Sequence, residues 1–325
     1  MLMPPFELHH PKSIEEACEM ASSFMKLGES FDWVAGGTDL LPNYKWHINV
    51  KKHVISLAKI SGTDTISMTE IGAMARLNAI AESDNAHPLL SEAAAKVASS
   101  LIRNNATLGG NLCVDTRCFW FNQSEDWRRS IDWCHKEDCG TGSDCRVIPN
   151  QNTLCVATYQ GDLAPSLMVL EGIIHLIGPS GSREIPAEEF FQLDGITRNV
   201  LEEGEFVLKV TFPENVSSRV GSYHKLRVRE SWDFPEAGIS AAWIPGDGST
   251  LRVASTALES IPRLHSEQVA GLSGEFTSNH VKTLSESVMK SIKPVNNTTL
   301  PPRYRKAMVK VLAKRSLNQI LEASE

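Results

Sequence analysis

The sequence has no excess of basic charge, no long apolar run and almost no cysteine outside one stretch. Each shortage removes a class of function. With 32 Lys and Arg against 39 Asp and Glu the net charge is −7, and the isoelectric point is near 5.8. Such a chain is not built to neutralise a phosphate backbone, so nucleic acid is not its partner. The richest basic stretch, "RYRKAMVKVLAKR" (Arg303 to Arg315), is interleaved with apolar residues and reads as the solvated face of an amphipathic helix. The most apolar stretch, Leu163 to Gly178, is broken by Glu171 and His175 and falls short of the roughly 20 residues that span a bilayer. The N-terminus lacks the basic-then-apolar layout of a secretory signal, so a cytoplasmic protein without a membrane partner is expected. There is no G-x-G-x-x-G and no Walker loop, which leaves Rossmann and P-loop nucleotide sites without support. Nor is there a constellation for substrate chemistry. The histidines in "HHPK", "KWH" and "KKHV" read as surface or strand-end residues, and His135, beside Cys134, reads as a bystander rather than a ligand.

What is present is an ordinary globular composition, 42% hydrophobic and 22% charged, over 325 residues, enough for two domains with a sizeable core. Ser13, with Glu16 three residues on, opens a first helix in a capping-box arrangement. "FDWV" and "HVISLAKI" read as strands, and "HPLLSEAAAKVASSLIRNNA" as one alanine-rich helix beginning near Pro88. After Cys155, "GDLAPSLMVLEG" reads as a helix and "IIHLIGPSGSREIP" as two strands about a turn. From about Val216 the period becomes two, as in antiparallel strands, and two amphipathic helices close the chain. The expected class is α+β: an N-terminal domain over 1–215, then a C-terminal domain of a sheet plus helices over 216–325.

Two glycine turns stand out. "AGGTDL" ends an apolar strand and places Ala35, Gly36, Gly37, Thr38, Asp39 and Leu40 in a turn. Its glycines permit close approach of a ligand, and its N–H groups and the Thr38 hydroxyl can donate to phosphate oxygens. "RNNATLGGN" offers a second turn of the same kind, with Thr107, Gly109, Gly110 and Asn111. Two such turns in one domain can clasp a pyrophosphate from both sides, which makes a dinucleotide the candidate ligand.

Six of the seven cysteines lie between Cys113 and Cys155. In a reducing compartment such crowding points to metal rather than to disulfides, and an odd total fits a disulfide framework poorly. Asn111 to Asp162 spans 51 positions, too long for a structureless loop within a compact domain. Its aromatic residues, Phe119, Trp120, Phe121, Trp127 and Trp133, argue against disorder. The spacings Cys113-x4-Cys118 and Cys134-x4-Cys139, with Cys145 and Cys155 more dispersed, are loose for zinc knuckles and no better for a ferredoxin run. Zinc and a [4Fe–4S] cluster both stay open on spacing.

"VAGGTDLLP" followed about seventy residues later by "IRNNATLGGNL" resembles the FAD-binding domain of the molybdenum hydroxylases, the xanthine dehydrogenase and carbon monoxide dehydrogenase family, in which it is a separate medium subunit. "YHKLRVRESWDFPEAGISAAW", with Lys225, Arg229 and Asp233, resembles the segment that opens that family's C-terminal flavoprotein domain. The resemblance implies that both glycine turns hold the FAD pyrophosphate and that Asp162 and Lys225 lie near its ribityl or isoalloxazine portions. Gly161 stands where the family usually has serine. In most of the family the second turn leads almost directly into the Asp162 helix, so residues 112–160 form an insertion. "GGNLCVDTRCFWFNQSEDWRRS…WC" is similar to the [4Fe–4S] insertion of the 4-hydroxybenzoyl-CoA reductase branch. That likeness implies Cys118, Cys134, Cys145 and Cys155 as ligands; the later two intervals are a few residues longer here, and Cys139, inside one of them, competes with Cys134 or Cys145 as a ligand. Cys113, directly after the second glycine turn, reads as a bystander thiol near the flavin, and Cys18, on the first helix, as a core residue. The likeness further implies partner subunits carrying molybdopterin and [2Fe–2S] clusters, and ferredoxin as an electron donor for reductive removal of a phenolic hydroxyl. The competing readings are an aldehyde- or N-heterocycle-oxidising relative and, more distantly, a non-redox protein with a structural zinc.

Overall fold

In the computed structural model, residues 2–136, 144–150, 154–272 and 274–324 are described. Cys139, the competing ligand, lies outside them. Three sheets organise the described residues. Strands β1 (Glu7–His9), β2 (Phe31–Val34) and β3 (His53–Ser56) form a parallel sheet in the order β1-β3-β2. The helix Ile14–Leu27 supplies the first crossover. Ser13 caps it by accepting from the Glu16 N–H at 3.2 Å, while the Glu16 carboxylate takes the N–H of Lys12 at 2.7 Å rather than that of the cap itself. Gly28 ends it at φ +68°, the left-handed geometry that glycine adopts without strain.

Strands β4 (Glu70–Gly72), β5 (Ile173–Gly178), β6 (Gly181–Pro186) and β7 (Phe206–Thr211) form an antiparallel sheet in the order β4-β7-β5-β6. The cysteine stretch therefore separates β4 from its sheet partners in sequence. Strands β8 (Val220–Leu226), β9 (Ala237–Ile244), β10 (Asp247–Thr256) and β11 (Arg263–Leu264) make the third sheet, in the order β11-β10-β9-β8. Strand alternation gives it two apolar faces. Ala237, Ile239, Ala241 and Trp243 join the helices Ser278–Ser291 and Pro302–Glu322 in one core. Ala242 and Ala254 join the larger core built from residues 71–216. The fully buried helix Ala164–Val169 docks on that second face, with Ser166 Oγ 3.2 Å from Ser240 Oγ.

Two expectations are corrected. The alanine-rich segment is two helices, Pro88–Ala95 and Ser100–Arg103, broken at Ala98 with φ +40°. The break is stabilised from both sides. Ser99 caps the second helix through the Ile102 N–H, and Lys225 Nζ donates to the Lys96 carbonyl at 3.0 Å. Propensity yields here to a tertiary cation that needs a carbonyl. Likewise the basic stretch at 303–315 is not wholly a solvated face, because Arg305 is fully buried and donates to the carbonyls of Glu236 and Val295.

Candidate functional site

The first glycine turn joins β2 to the helix Leu40–Lys45. Gly37 sits at φ +68°, and a Cβ on Gly36 would lie 1.8 Å from the Asn105 carbonyl oxygen, so glycine is required at both. That near-collision shows how the two turns meet: Asn105 leads into the second turn, and the Cβ position of Gly110 is 3.9 Å from Ala35 Cβ. Among the described residues the N–H groups of Gly36, Gly37 and Thr38 have no acceptor, and the three residues are partly exposed. Three such donors in one turn form an anion cradle. Leu40 instead packs beside Val34 and Tyr44 in a small core.

The second turn is less open than its sequence indicates. Thr107 Oγ1 accepts the Gly110 N–H at 3.1 Å and so caps the short helix Leu108–Leu112. The N–H groups of Gly109 and Asn111 go to the carbonyls of Ala73 and Thr107. Gly109 is buried, with Ala73 Cβ 2.9 Å from where its own Cβ would stand. This turn therefore contributes close approach rather than backbone donors. Its remaining donors are the Thr107 hydroxyl, which only accepts in the cap, and the Asn111 amide, whose oxygen meanwhile accepts the Leu163 N–H at 3.0 Å and ties the turn to the start of the Ala164–Val169 helix.

Asp162 and Lys225 come together as a buried ion pair at 3.0 Å, their side chains 3% and 2% exposed. Tyr223 donates to the same carboxylate at 2.7 Å. Burial pushes the Asp162 carboxyl up and the Lys225 ammonium down, each opposed by the other's charge. Gly161 has a local cause. A Cβ there would fall 2.2 Å from the Tyr159 hydroxyl and 2.7 Å from the Asn111 carbonyl, and that hydroxyl donates to the Asn111 carbonyl at 3.0 Å. The tyrosine fills the space a serine side chain would take.

The four cysteines Cys118, Cys134, Cys145 and Cys155 are all buried and line one apolar cavity with Trp120, Phe121, His135 and Lys136. Cys113 is not among the lining residues and packs instead at the edge of the main core; Cys18 is partly buried. Around the cavity the order comes from polar anchors. Arg128 donates to the carbonyls of Trp46 and His47 at 2.9 and 3.1 Å and lies over the Trp133 ring. Asp132 and Trp133, just before Cys134, hold φ of +58° and +55°, an uncommon geometry for these residue types.

The donor set suits a metal centre. Ile148 and Ala157 N–H groups reach the sulfurs of Cys145 and Cys155 at 3.5 and 3.4 Å. Burial pushes the Cys118 thiol up to about 12 and the Cys155 thiol up to about 11, partly offset by the Lys136 charge. Thiols so placed ionise when a metal supplies the opposing charge. His135 Nε2 is buried in this wall with no hydrogen-bond partner among the described residues. Gly195, which the sequence did not single out, is a further requirement: a Cβ there would stand 2.8 Å from Cys155 Sγ.

The two sites are joined. Asp39 of the first glycine turn accepts the Asp115 N–H at 3.1 Å and pairs with Arg117, the residue before Cys118. Asp115 in turn pairs with Lys136 at 3.0 Å.

Among known proteins, the family described as the FAD binding domain in molybdopterin dehydrogenase matches residues 4–215. The aldehyde oxidoreductase FAD-binding subunit PaoB of Escherichia coli K12 is 30% identical over 236 residues, 67% of this chain and 71% of that protein. The carbon monoxide dehydrogenase medium chain of Hydrogenophaga pseudoflava is 26% identical, covering 98% of both chains. A solved structure of carbon monoxide dehydrogenase from that organism superposes with a TM-score of 0.77 at 25% identity, over 99% of both chains. Quinoline 2-oxidoreductase from Pseudomonas putida 86 shares the fold at a TM-score of 0.76 and 17% identity. No helix among the described residues is long and apolar enough to cross a membrane. The chain belongs to the FAD-binding medium subunits of the molybdenum hydroxylase family, the electron-transfer flavoproteins of those enzymes.

Proposed function

We propose that this chain relays electrons between an external carrier, a [4Fe–4S] cluster on Cys118, Cys134, Cys145 and Cys155, FAD on the two glycine turns, and partner subunits bearing molybdopterin and [2Fe–2S] clusters. The observation that carries the reading is the ion-paired link from Asp39 of the candidate FAD turn to Arg117, the residue before the cavity-lining Cys118. FAD, when bound, exchanges electrons in pairs or singly, and an iron–sulfur cluster passes them one at a time. The chain's own residues would do the rest. Gly36, Gly37 and Thr38 present N–H groups to the pyrophosphate; Trp120 and Phe121 exclude water; Lys136 places a fixed positive charge in the cavity wall. Asp162 and Lys225 act by holding the C-terminal sheet against the glycine turns. In this reading residues 1–215 are the FAD-binding domain, 112–160 its cluster-bearing insertion and 216–325 the C-terminal flavoprotein domain.

For the substrate, the stretch from Gly109 to Ser130 supports reductive dehydroxylation of 4-hydroxybenzoyl-CoA to benzoyl-CoA, with ferredoxin as donor. The 30% identity to an aldehyde oxidoreductase subunit favours a second reading, oxidation of an aldehyde with electrons leaving through this chain. The substrate is chosen in another subunit, so the complex must be assayed with both.

The test is anaerobic iron, sulfide and zinc analysis with an absorbance spectrum, on wild type and Cys118→Ala. About four irons and four sulfides per FAD are expected for one such cluster, with the iron lost in the variant. Zinc without sulfide would refute the relay through the cysteine stretch.

A further inference from the structure

The parallel sheet holds a cluster that belongs to neither site. His9 ends β1 and His53 begins β3, the strand-end places their motifs indicate, but His53 is 3% exposed and not a surface residue. Glu7 and His53 are register partners on β1 and β3, and His9, two residues on, shares the face of Glu7. His9 Nε2 is 3.1 Å from His53 Nδ1, and that same Nδ1 is 3.5 Å from Glu7 Oε2. All three ligand atoms lie within 4.8 Å of one another.

We propose that Glu7, His9 and His53 bind a divalent transition ion of the zinc class. Around a tetrahedral zinc with bonds of about 2.0–2.1 Å, neighbouring ligand atoms stand about 3.3–3.4 Å apart, close to the two spacings found here. A second observation supports the assignment independently. The other ring nitrogen of His53, Nε2, is 3.2 Å from the Glu29 carboxylate. A proton held there directs the Nδ1 lone pair at the proposed ion, the outer-shell arrangement that orients metal-bound histidines. Glu29 is itself held by Lys52, and the His53 ring stacks on Phe24 at 4.2 Å and 13°, so the imidazole has little freedom to turn away. Two imidazoles and a carboxylate suit zinc better than calcium or magnesium, which prefer all-oxygen sites. Three protein ligands leave a fourth position for solvent. The ion would fasten β1, a strand of three residues, to β3, whose other neighbour β2 leads into the first glycine turn.

The test uses the purified complex, treated with a chelator, desalted and titrated with zinc chloride in a calorimeter. The zinc K-edge absorption spectrum is then recorded at one equivalent. The expected result is one zinc per chain with a shell of nitrogen and oxygen at about 2.0–2.1 Å and imidazole scattering. His9→Asn is expected to weaken binding at least tenfold, and Glu29→Gln, which touches no metal, by about 10- to 100-fold. Unchanged flavin content and circular dichroism show that these variants fold. Sulfur at about 2.3 Å would place the zinc in the cysteine cavity and overturn the proposal. So would affinity indifferent to His9→Asn, or no zinc retained at all. In each of those cases the contact between His9 and His53 is a plain hydrogen bond.

Discussion

Replacing Lys225 by methionine is the sharpest way to ask what the Asp162–Lys225 pair does. The substitution keeps most of the apolar stem and removes a cation whose side chain is 2% exposed, leaving a carboxylate 3% exposed without its counter-charge. Breaking a buried pair on one side costs about 3–5 kcal/mol. The Tyr223 hydroxyl stays at 2.7 Å and softens the loss, so the lower end of that range is expected. The Lys96 carbonyl also loses its donor at 3.0 Å and keeps only a long contact to Arg227, which loosens the break between the Pro88–Ala95 and Ser100–Arg103 helices. The double variant Lys225→Met with Asp162→Asn is expected to recover most of the stability, because an amide is cheap to bury beside a hydroxyl donor. Asp162 already sits above its ordinary value through burial, and without the lysine it rises further. A carboxyl raised in the folded state favours folding fully below its unfolded value, about 3.9, and loses that advantage as pH rises through the folded value. The single variant is therefore least stable at pH 7 and closes on wild type as pH falls toward 4. Urea unfolding of wild type and the variants at pH 7 and pH 5, with flavin release as a second signal, measures this. A loss below about 1 kcal/mol, an equal deficit at both pH values, or a double variant no better than the single would refute the reasoning.

Gly36→Ala places a Cβ 1.8 Å from the Asn105 carbonyl oxygen; it is expected to push the two glycine turns apart and lower bound flavin at least tenfold, read from flavin absorbance after gel filtration. Gly195→Ala puts a methyl 2.8 Å from Cys155 Sγ and 2.8 Å from Ala157 Cβ; it is expected to lower iron content more than flavin content, by metal analysis on the same sample. His265, buried between the hydroxyls of Ser255 and Ser291, is held down to about 3 by burial. A base depressed in the folded state stabilises above its unfolded value of about 6.5 and loses that contribution, a few kcal/mol here, as pH falls toward the folded value. His265→Asn should therefore flatten the stability–pH curve between pH 6.5 and 4, checked by thermal unfolding.

Local chemistry made much of this molecule legible in advance. The Ser13 cap, the strand before Gly36 and the period of two after Val216 are written in neighbouring residues, and the structure follows them. What stayed hidden depends on contacts between residues far apart in sequence. Lys225 breaks a helix about 130 positions upstream by claiming one carbonyl. The Gly110 N–H looks like a ligand donor until its bond to the Thr107 hydroxyl is seen. Gly195 has no motif and matters only because a loop from 194–196 closes on Cys155. His9 and His53 sit in unremarkable dipeptides, and only the register of β1 on β3 brings them together. The glycine turns, by contrast, announce themselves, because close backbone approach leaves no substitute for glycine.

The bond from Asp39 to Asp115 and Arg117 carries one more implication. The turn proposed to offer its N–H groups to the FAD pyrophosphate is braced by the very backbone that delivers Cys118. On the proposed assignment, assembly of the two centres is then not independent: a chain whose cysteine segment has not settled lacks the brace that shapes the first turn. With the proposed cluster and FAD in place, loss of the metal is expected to weaken the grip on the flavin in turn, iron falling first and flavin after it.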